Sequence, residues 1–231
     1  MVDNMAVTKR YNVPKFWSVK LKANKYVVSP TPGPHSKMQC IPLGIILREK
    51  LHHARTMKEA RQILRGGMVK VNGSVRKEHG FPAGLMDIVE ISGDFYRIMP
   101  GKNGFYLSKT DAEDAAVRLA RIANKTQIKK KKIQLNLHDG SNILVDKDDF
   151  KTSDVIAINI AQKMIKSTIR FEKGSFAIVT GGNSMGLSGV IESIDRKLKT
   201  VVLADGDNKL LVPIKYVFVA GKEKPVIRMG E

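Results

Sequence analysis

The chain has 231 residues, 42% hydrophobic and 27% charged, enough to bury one large core or two to three small ones. Its 40 Lys and Arg against 22 Asp and Glu leave a formal net charge of +18; that excess repels itself in a compact fold and points to a polyanionic partner rather than to a surface charged for solubility. No apolar run approaches the ~20 residues of a membrane span, no signal-peptide block, basic amphipathic helix or lipidation motif stands out, and the single Cys40 excludes an internal disulfide and any multi-cysteine metal site.

Nucleic acid therefore leads over a membrane surface, and the expected compartment is the cytoplasm, with Cys40 a reduced thiol. Between Asp3 and Glu49 there is no acidic residue. Lys9, Arg10, Lys15, Lys20 and Lys22 lie in that span, interleaved with Tyr11, Phe16, Trp17 and Tyr26. Cations among flat rings suit a segment laid along a phosphate backbone with rings stacking on bases. For Trp17, packing onto the following domain is an equally good reading. Pro30, Pro32 and Pro34 then form a stiff, non-helical stretch, read as a linker or arm.

Helical spacing starts after Pro42 with Leu43, Ile46, Leu47 and Leu51. Thr56 and Glu59 form a capping box that opens a second helix, ended by Gly66 and Gly67 near Arg65. At about 100° per residue, Lys58, Arg61 and Arg65 share an arc of roughly 60°. Met57, Ala60, Ile63 and Leu64 fall opposite. MVKVNGSVRK reads as a strand, a type I′ Asn-Gly turn and a basic return, with Lys70, Arg76 and Lys77 extending the positive surface. FPAGLMDIVEI reads as a second apolar strand.

SKTDAEDAAVRLARIANKTQIKKKK predicts a further helix, capped by Thr110 and Glu113, with Arg118 and Arg121 near its end as the dipole prefers. Lys129, Lys130, Lys131 and Lys132 are a candidate RNA contact. Ile133, Leu135 and Leu137 alternate with polar residues up to a hairpin turn at HDGS; VIAINI and STIRF read as further strands. Asp146, Asp148 and Asp149 lack the glycine and terminal Glu of a calcium loop.

Near the C-terminus, Gly174, Gly181, Gly182, Gly186 and Gly189 punctuate short strands. Val190 and Ile194 are expected to line one face of a strand, and TVVLAD and KLLVPI to pair across DGDN. Several short strands with glycine turns imply a small closed barrel. Gly182 to Ser188 is the loop best suited to meet RNA, with Gly182, Asn183 and Ser184 at its tip. A Walker loop is excluded because no Gly-Lys-Ser/Thr follows GGNSMG. No Cys/His metal pattern, H-E-x-x-H or G-x-S-x-G elbow is present, so no catalytic residue, metal or cofactor is expected.

IPLGIILREKL, RTMKEARQILRGGMVKVNGSVRK and PAGLMDIVEI, in that order, resemble the S4 RNA-binding domain. GPHSKMQCIPLGIILREKL with FPAGLMDIVEI, and KFW near the start, resemble the ribosomal protein S4e family of the archaeal and eukaryotic small subunit. KGSFAIVTGGNSMGLSGVI resembles a KOW motif. The resemblance implies an α+β, multidomain chain. Its parts are a basic N-terminal arm (1–40), an αα/β S4 module (41–93), a mixed central domain (94–171) and an SH3-like KOW β-barrel (172–231). It implies phosphate contacts at Arg48, Arg55, Lys58, Arg61, Arg65 and Lys70. It further implies a structural role on small-subunit rRNA beside other ribosomal proteins, without catalysis, membrane or small-molecule substrate. The lack of a long C-terminal extension points to an archaeal version. The alternatives are an RNA-modifying enzyme, for which no large catalytic domain is found, and an assembly or transcription factor using the same modules.

Overall fold

The computed structural model describes residues 7–20, 22–128, 132–146, 148–206, 208–222 and 225–227. Lys129, Lys130 and Lys131, named above as a candidate contact, lie outside the described residues. The chain divides into two compact units, Met1–Ile98 with Phe105–Thr110, and Met99–Gly104 with Asp111–Glu231. Among the described residues no helix is long and apolar enough to cross a membrane.

In the first unit, β1 (Val7–Lys9) pairs antiparallel with β2 (Tyr26–Val28), Thr8 opposite Val27. Two single 3-10 turns lie between them, Arg10–Asn12 and Lys15–Trp17. β3 (Cys40–Pro42) leads into a brief α1 (Leu43–Ile45), which widens over Ile46–Lys50. The Leu51 N–H closes that turn on the Ile46 carbonyl at 2.9 Å, one residue beyond the α-helical partner. Leu43, Ile45, Ile46 and Leu47 are all fully buried, so apolar burial rather than helix propensity holds this segment.

α2 (Met57–Arg65) opens with the expected capping box. The Glu59 N–H donates to Thr56 Oγ1 at 3.3 Å and the Thr56 N–H to the Glu59 carboxylate at 3.4 Å. Ala60 and Leu64 are buried beneath it. β4 (Val69–Val71) turns through Asn72 and Gly73, at φ 49° and 75°, into β5 (Ser74–Val75). The single apolar strand expected next is two strands, β6 (Pro82–Gly84) and β7 (Ile88–Ile91). β6 pairs with β3 and β7 with β4. The split falls where Met86 takes φ 63° and the Asp87 N–H folds back on the Gly84 carbonyl at 3.1 Å. β8 (Asp94–Gly101) and β9 (Gly104–Thr110) complete a five-stranded sheet in the order β5-β4-β7-β8-β9.

The second unit departs from the sequence reading. The long helix expected after Thr110 is one short turn, α3 (Ala112–Ala115), followed by the eleven-residue strand β10 (Val117–Gln127). Thr110 belongs to β9 and Asp111 takes the cap position with no side-chain capping bond, so the expected Thr110–Glu113 box is absent. β10 sits at the centre of a sheet formed with β11 (Ile133–Leu137), β12 (Asn142–Val145), β13 (Val155–Asn159) and β14 (Met164–Ile169), in the order β12-β11-β10-β13-β14. Its core joins Ala120, Ile122, Leu135, Leu137, Ile156 and Ile158. Pairing on both edges and burial of adjacent Leu119 and Ala120 outweigh the helical preference of the local sequence.

A second antiparallel sheet of this unit takes the order β18-β17-β16-β15-β19. Its strands are β15 (Phe176–Val179), β16 (Ser188–Asp195), β17 (Thr200–Asp205), β18 (Asn208–Pro213) and β19 (Val217–Gly221). β17 and β18 pair as a hairpin, Asp205 opposite Asn208, as expected for DGDN. Val190 and Ile194 do not share one continuous face. The register shifts between Ile191 and Ser193, which leaves Val190 36% exposed while Ile191 is buried and Ile194 half-buried. Arg121 ties the two sheets, donating to the Lys215 carbonyl at 2.8 Å and the Val217 carbonyl at 3.1 Å. Burial pushes its guanidinium pKa down.

Leu135→Ala is expected to destabilise the second unit by about 2–5 kcal/mol in denaturant unfolding. Leu144→Ala, on the exposed side of the same hairpin, is expected to stay within about 0.5 kcal/mol.

Candidate nucleic-acid interface

The N-terminal segment is fastened rather than loose. Trp17 is fully buried and its indole N–H donates to the Cys40 carbonyl at 2.7 Å. That corrects the stacking role considered for Trp17, because its ring faces no solvent on which a base could settle. The proline-rich stretch is laid onto the helix–strand module. The Thr31 N–H donates to the Gly80 carbonyl at 2.8 Å. His35 inserts beside Gly84, where an added Cβ would stand 2.4 Å from its ring.

The fastening centres on Asp87, 2% exposed. His35 Nε2 meets Asp87 Oδ2 at 2.9 Å; an ionised carboxylate only accepts, so the ring nitrogen donates. The Gly84 N–H donates to the same oxygen at 2.9 Å, and the Asn72 amide donates to the other at 2.7 Å. Burial alone would raise the Asp87 pKa, but His35, Gly84 and Asn72 together hold it below the ordinary carboxylate value. Beside it, burial and the Asp87 charge push the Cys40 thiol up to about 12, which keeps it protonated and unreactive.

The same module carries the cationic face of α2. Arg55, Lys58, Arg61 and Arg65 are exposed. Among the described residues, Lys58, Arg61 and Arg65 have no carboxylate within ion-pair distance. The Arg61 guanidinium donates to His79 Nε2 at 3.1 and 3.3 Å, so the buried His79 aims it. Sequence reading missed this, since His79 is eighteen residues from Arg61 in the chain. Arg76 stacks 4.5 Å above the Phe81 ring and Lys77 is exposed.

Other cations named from the sequence are already engaged. Arg48 pairs with Glu49 at 2.8 Å, both side chains about 15% exposed or less. Lys70 pairs with Glu90 at 2.8 Å, and Lys132 with Asp146 at 3.6 Å. Arg10 turns its guanidinium onto the carbonyls of Val19 and Lys20. Lys9, Lys15, Lys20 and Lys22 are exposed.

In the second unit, Gly182 and Asn183 are exposed and Ser184 is half-buried in the loop between β15 and β16. The loop is pinned where the Gly186 N–H donates to the Val179 carbonyl at 2.9 Å. Gly186 holds φ 87°, and an added Cβ would meet the Gly101 backbone at 2.6 Å. Neighbouring Tyr216 carries the Lys215 ammonium 4.6 Å from its ring centre; neither residue was singled out from the sequence, because their place beside the loop comes from β19 pairing with β15.

These features define a strand-rich, cationic protein in which a helix–strand module displays unpaired basic side chains. Sequence profiles of three families match in succession: the RS4NT domain over residues 8–38, the S4 domain over residues 43–89, and the ribosomal family S4e over residues 92–165. The small ribosomal subunit protein eS4 of Methanothermobacter thermautotrophicus is 42% identical over 229 residues, covering 96% of this chain and 94% of the relative. That of Archaeoglobus fulgidus is 40% identical over 231 residues, covering 96% and 97%. The crystal structure of the 30S ribosomal protein S4e from Thermoplasma acidophilum superimposes with a TM-score of 0.72 at 29% identity, covering 80% of this chain and 96% of that one. The chain belongs to the S4e family of ribosomal proteins, a structural family and not an enzyme family.

Asp87→Ala is expected to cost about 3–5 kcal/mol at neutral pH, because it leaves His35 and two donors buried without their acceptor. A carboxylate with a depressed folded pKa contributes fully above its unfolded value of about 4 and loses that contribution as pH falls through the folded value. The gap in stability between wild type and variant, followed by denaturant titrations at successive pH values, should therefore be constant from pH 7 to about 5 and close below about pH 4.

Proposed function

We propose that this chain is a structural constituent of the small ribosomal subunit, where it binds and stabilises rRNA through several cationic surfaces at once. The observation that carries this reading is near-full-length identity of 42% to a small ribosomal subunit protein eS4. The exposed, carboxylate-free Lys58, Arg61 and Arg65 support α2 as the principal contact face. The S4 match at residues 43–89 encloses it.

The layout we favour is an N-terminal segment (1–40), an S4 module (41–93), a central domain (94–171) and a KOW-type SH3-like barrel (172–231). The five-stranded order β18-β17-β16-β15-β19 and the glycine-bearing loop at Gly182, Asn183 and Ser184 support the last of these. Lys9, Lys15, Lys20, Lys22, Arg55, Arg76 and Lys77 add further phosphate contacts. Arg48, Lys70 and Lys132 contribute less, since each first has to leave a carboxylate. The partners are small-subunit rRNA and neighbouring ribosomal proteins, and the location is the cytoplasmic ribosome. Each surface binds modestly, but several on one chain raise one another's effective concentration, and phosphate neutralisation releases counterions.

Affinity for a small-subunit rRNA transcript is expected to fall steeply with salt. Replacing Lys58, Arg61 and Arg65 together by Ala should reduce the log–log salt slope by about two to three units while the variant still unfolds cooperatively, at a somewhat lower temperature because the buried His79 loses its Arg61 contact. An unaltered slope would exclude α2 as the binding face. Loss of the chain from mature subunits in a salt wash, with binding only to immature particles, would instead favour an assembly factor.

A further inference from the structure

The first turn of the chain forms a cleft of about 470 Å³, bounded by Lys9, Arg10, Tyr11, Lys22, Asn24 and Lys25. That volume is in the range of small-ligand sites. Its walls are the end of β1 and the strap that runs back to β2. Arg10 binds the two walls together: its backbone N–H donates to the Lys25 carbonyl at 3.1 Å, and its guanidinium Nε donates to the Lys20 carbonyl at 3.4 Å. The guanidinium also bonds the Val19 carbonyl. Arg10 is therefore a positioning residue here, bonding backbone carbonyls on both walls.

Three lysines line the cleft, Lys9, Lys22 and Lys25, and among the described residues no carboxylate does. Tyr11 is 74% exposed. Its ring is therefore open to a stacking partner, and it stands amid cations. The Lys9 ammonium lies 5.8 Å from its centre. Asn24 adds an amide that both donates and accepts. An aromatic face, an amide and flanking cations together match the parts of a nucleotide: a base to stack, an edge to bond, a phosphate to neutralise.

We propose that this cleft seats one unpaired nucleotide of RNA, with its base on Tyr11 and its phosphates against Lys9, Lys22 and Lys25. The inference rests on the RNA-binding reading above and adds to it a single-strand site separate from the α2 face. Stacking requires a splayed base, so paired RNA gains nothing from Tyr11. Trp17, the larger ring in the same segment, is buried and leaves this role to Tyr11.

The test uses the full chain with three probes at one low salt concentration: a labelled single-stranded RNA hexanucleotide, the blunt duplex of the same sequence, and a small-subunit rRNA transcript. Tyr11→Ala is expected to weaken the hexanucleotide about tenfold and to leave the duplex within about twofold, while Tyr11→Phe keeps both. Tyr11 is exposed, so both variants should melt as wild type does. If Tyr11→Ala binds the hexanucleotide as tightly as wild type, or if the wild type does not bind it, while the transcript is still held, the nucleotide seat is overturned and the ribosomal reading stands. If wild type ignores the transcript as well, both fall.

Discussion

A chain with a net charge of +18 has to keep its cations from opposing the fold while leaving them available outside it. Part of the answer lies in three carboxylates that are turned inward and bonded there. Asp87, Asp139 and Asp154 are 2%, 5% and 2% exposed. Asp87 gathers His35, Asn72 and Gly84; Asp139 accepts from Arg118 and Ser141; Asp154 accepts backbone N–H groups of Lys151 and Phe171. For Asp139, burial opposes ionisation, but Arg118 and Ser141 outweigh it and keep its pKa low. These three aspartates act as internal staples between the segments they join.

The same sorting separates the cations into two groups. Arg48, Lys70 and Lys209 are matched by Glu49, Glu90 and Glu192, and Arg118 and Arg121 are used within the second unit. Lys58, Arg61 and Arg65 stand clear on α2, and Lys9, Lys22 and Lys25 around Tyr11. Both groups of exposed cations lie in the first unit, and both are supported by rigid bonding beneath: the His79 contact under Arg61, the Arg10 backbone bonds under the cleft. Preorganised cations lose less side-chain entropy on meeting phosphate than free ones do.

The helix–strand module was legible because its signals are local. The Thr56–Glu59 box, the Gly66–Gly67 stop and the Asn72–Gly73 turn each act within four residues, and the structure repeats them. The central region misled for the same reason. DAEDAAVRLARIANK carries good helix formers and a dipole-compatible charge order, yet Val117–Gln127 is a strand because Ile133–Leu137 and Val155–Asn159 flank it. Val155–Asn159 lies far along the chain from the Val117–Arg121 segment it pairs with, so no local pattern reports that pairing.

Composition and short motifs by themselves determined that this chain favours a polyanion, carries a cation-rich segment between Asp3 and Glu49, and has a short capped helix with Lys58, Arg61 and Arg65 on one face of a small module. These depend on residue identity and on spacing within a few turns. Only the tertiary structure decided which cations stand free, that Trp17 is a core anchor while Tyr11 is the exposed ring, and that Thr31 and His35 fasten the proline-rich stretch to Gly80 and Asp87. Those outcomes depend on pairs such as Trp17 with Cys40, His35 with Asp87 and Arg61 with His79, which meet only when the chain folds.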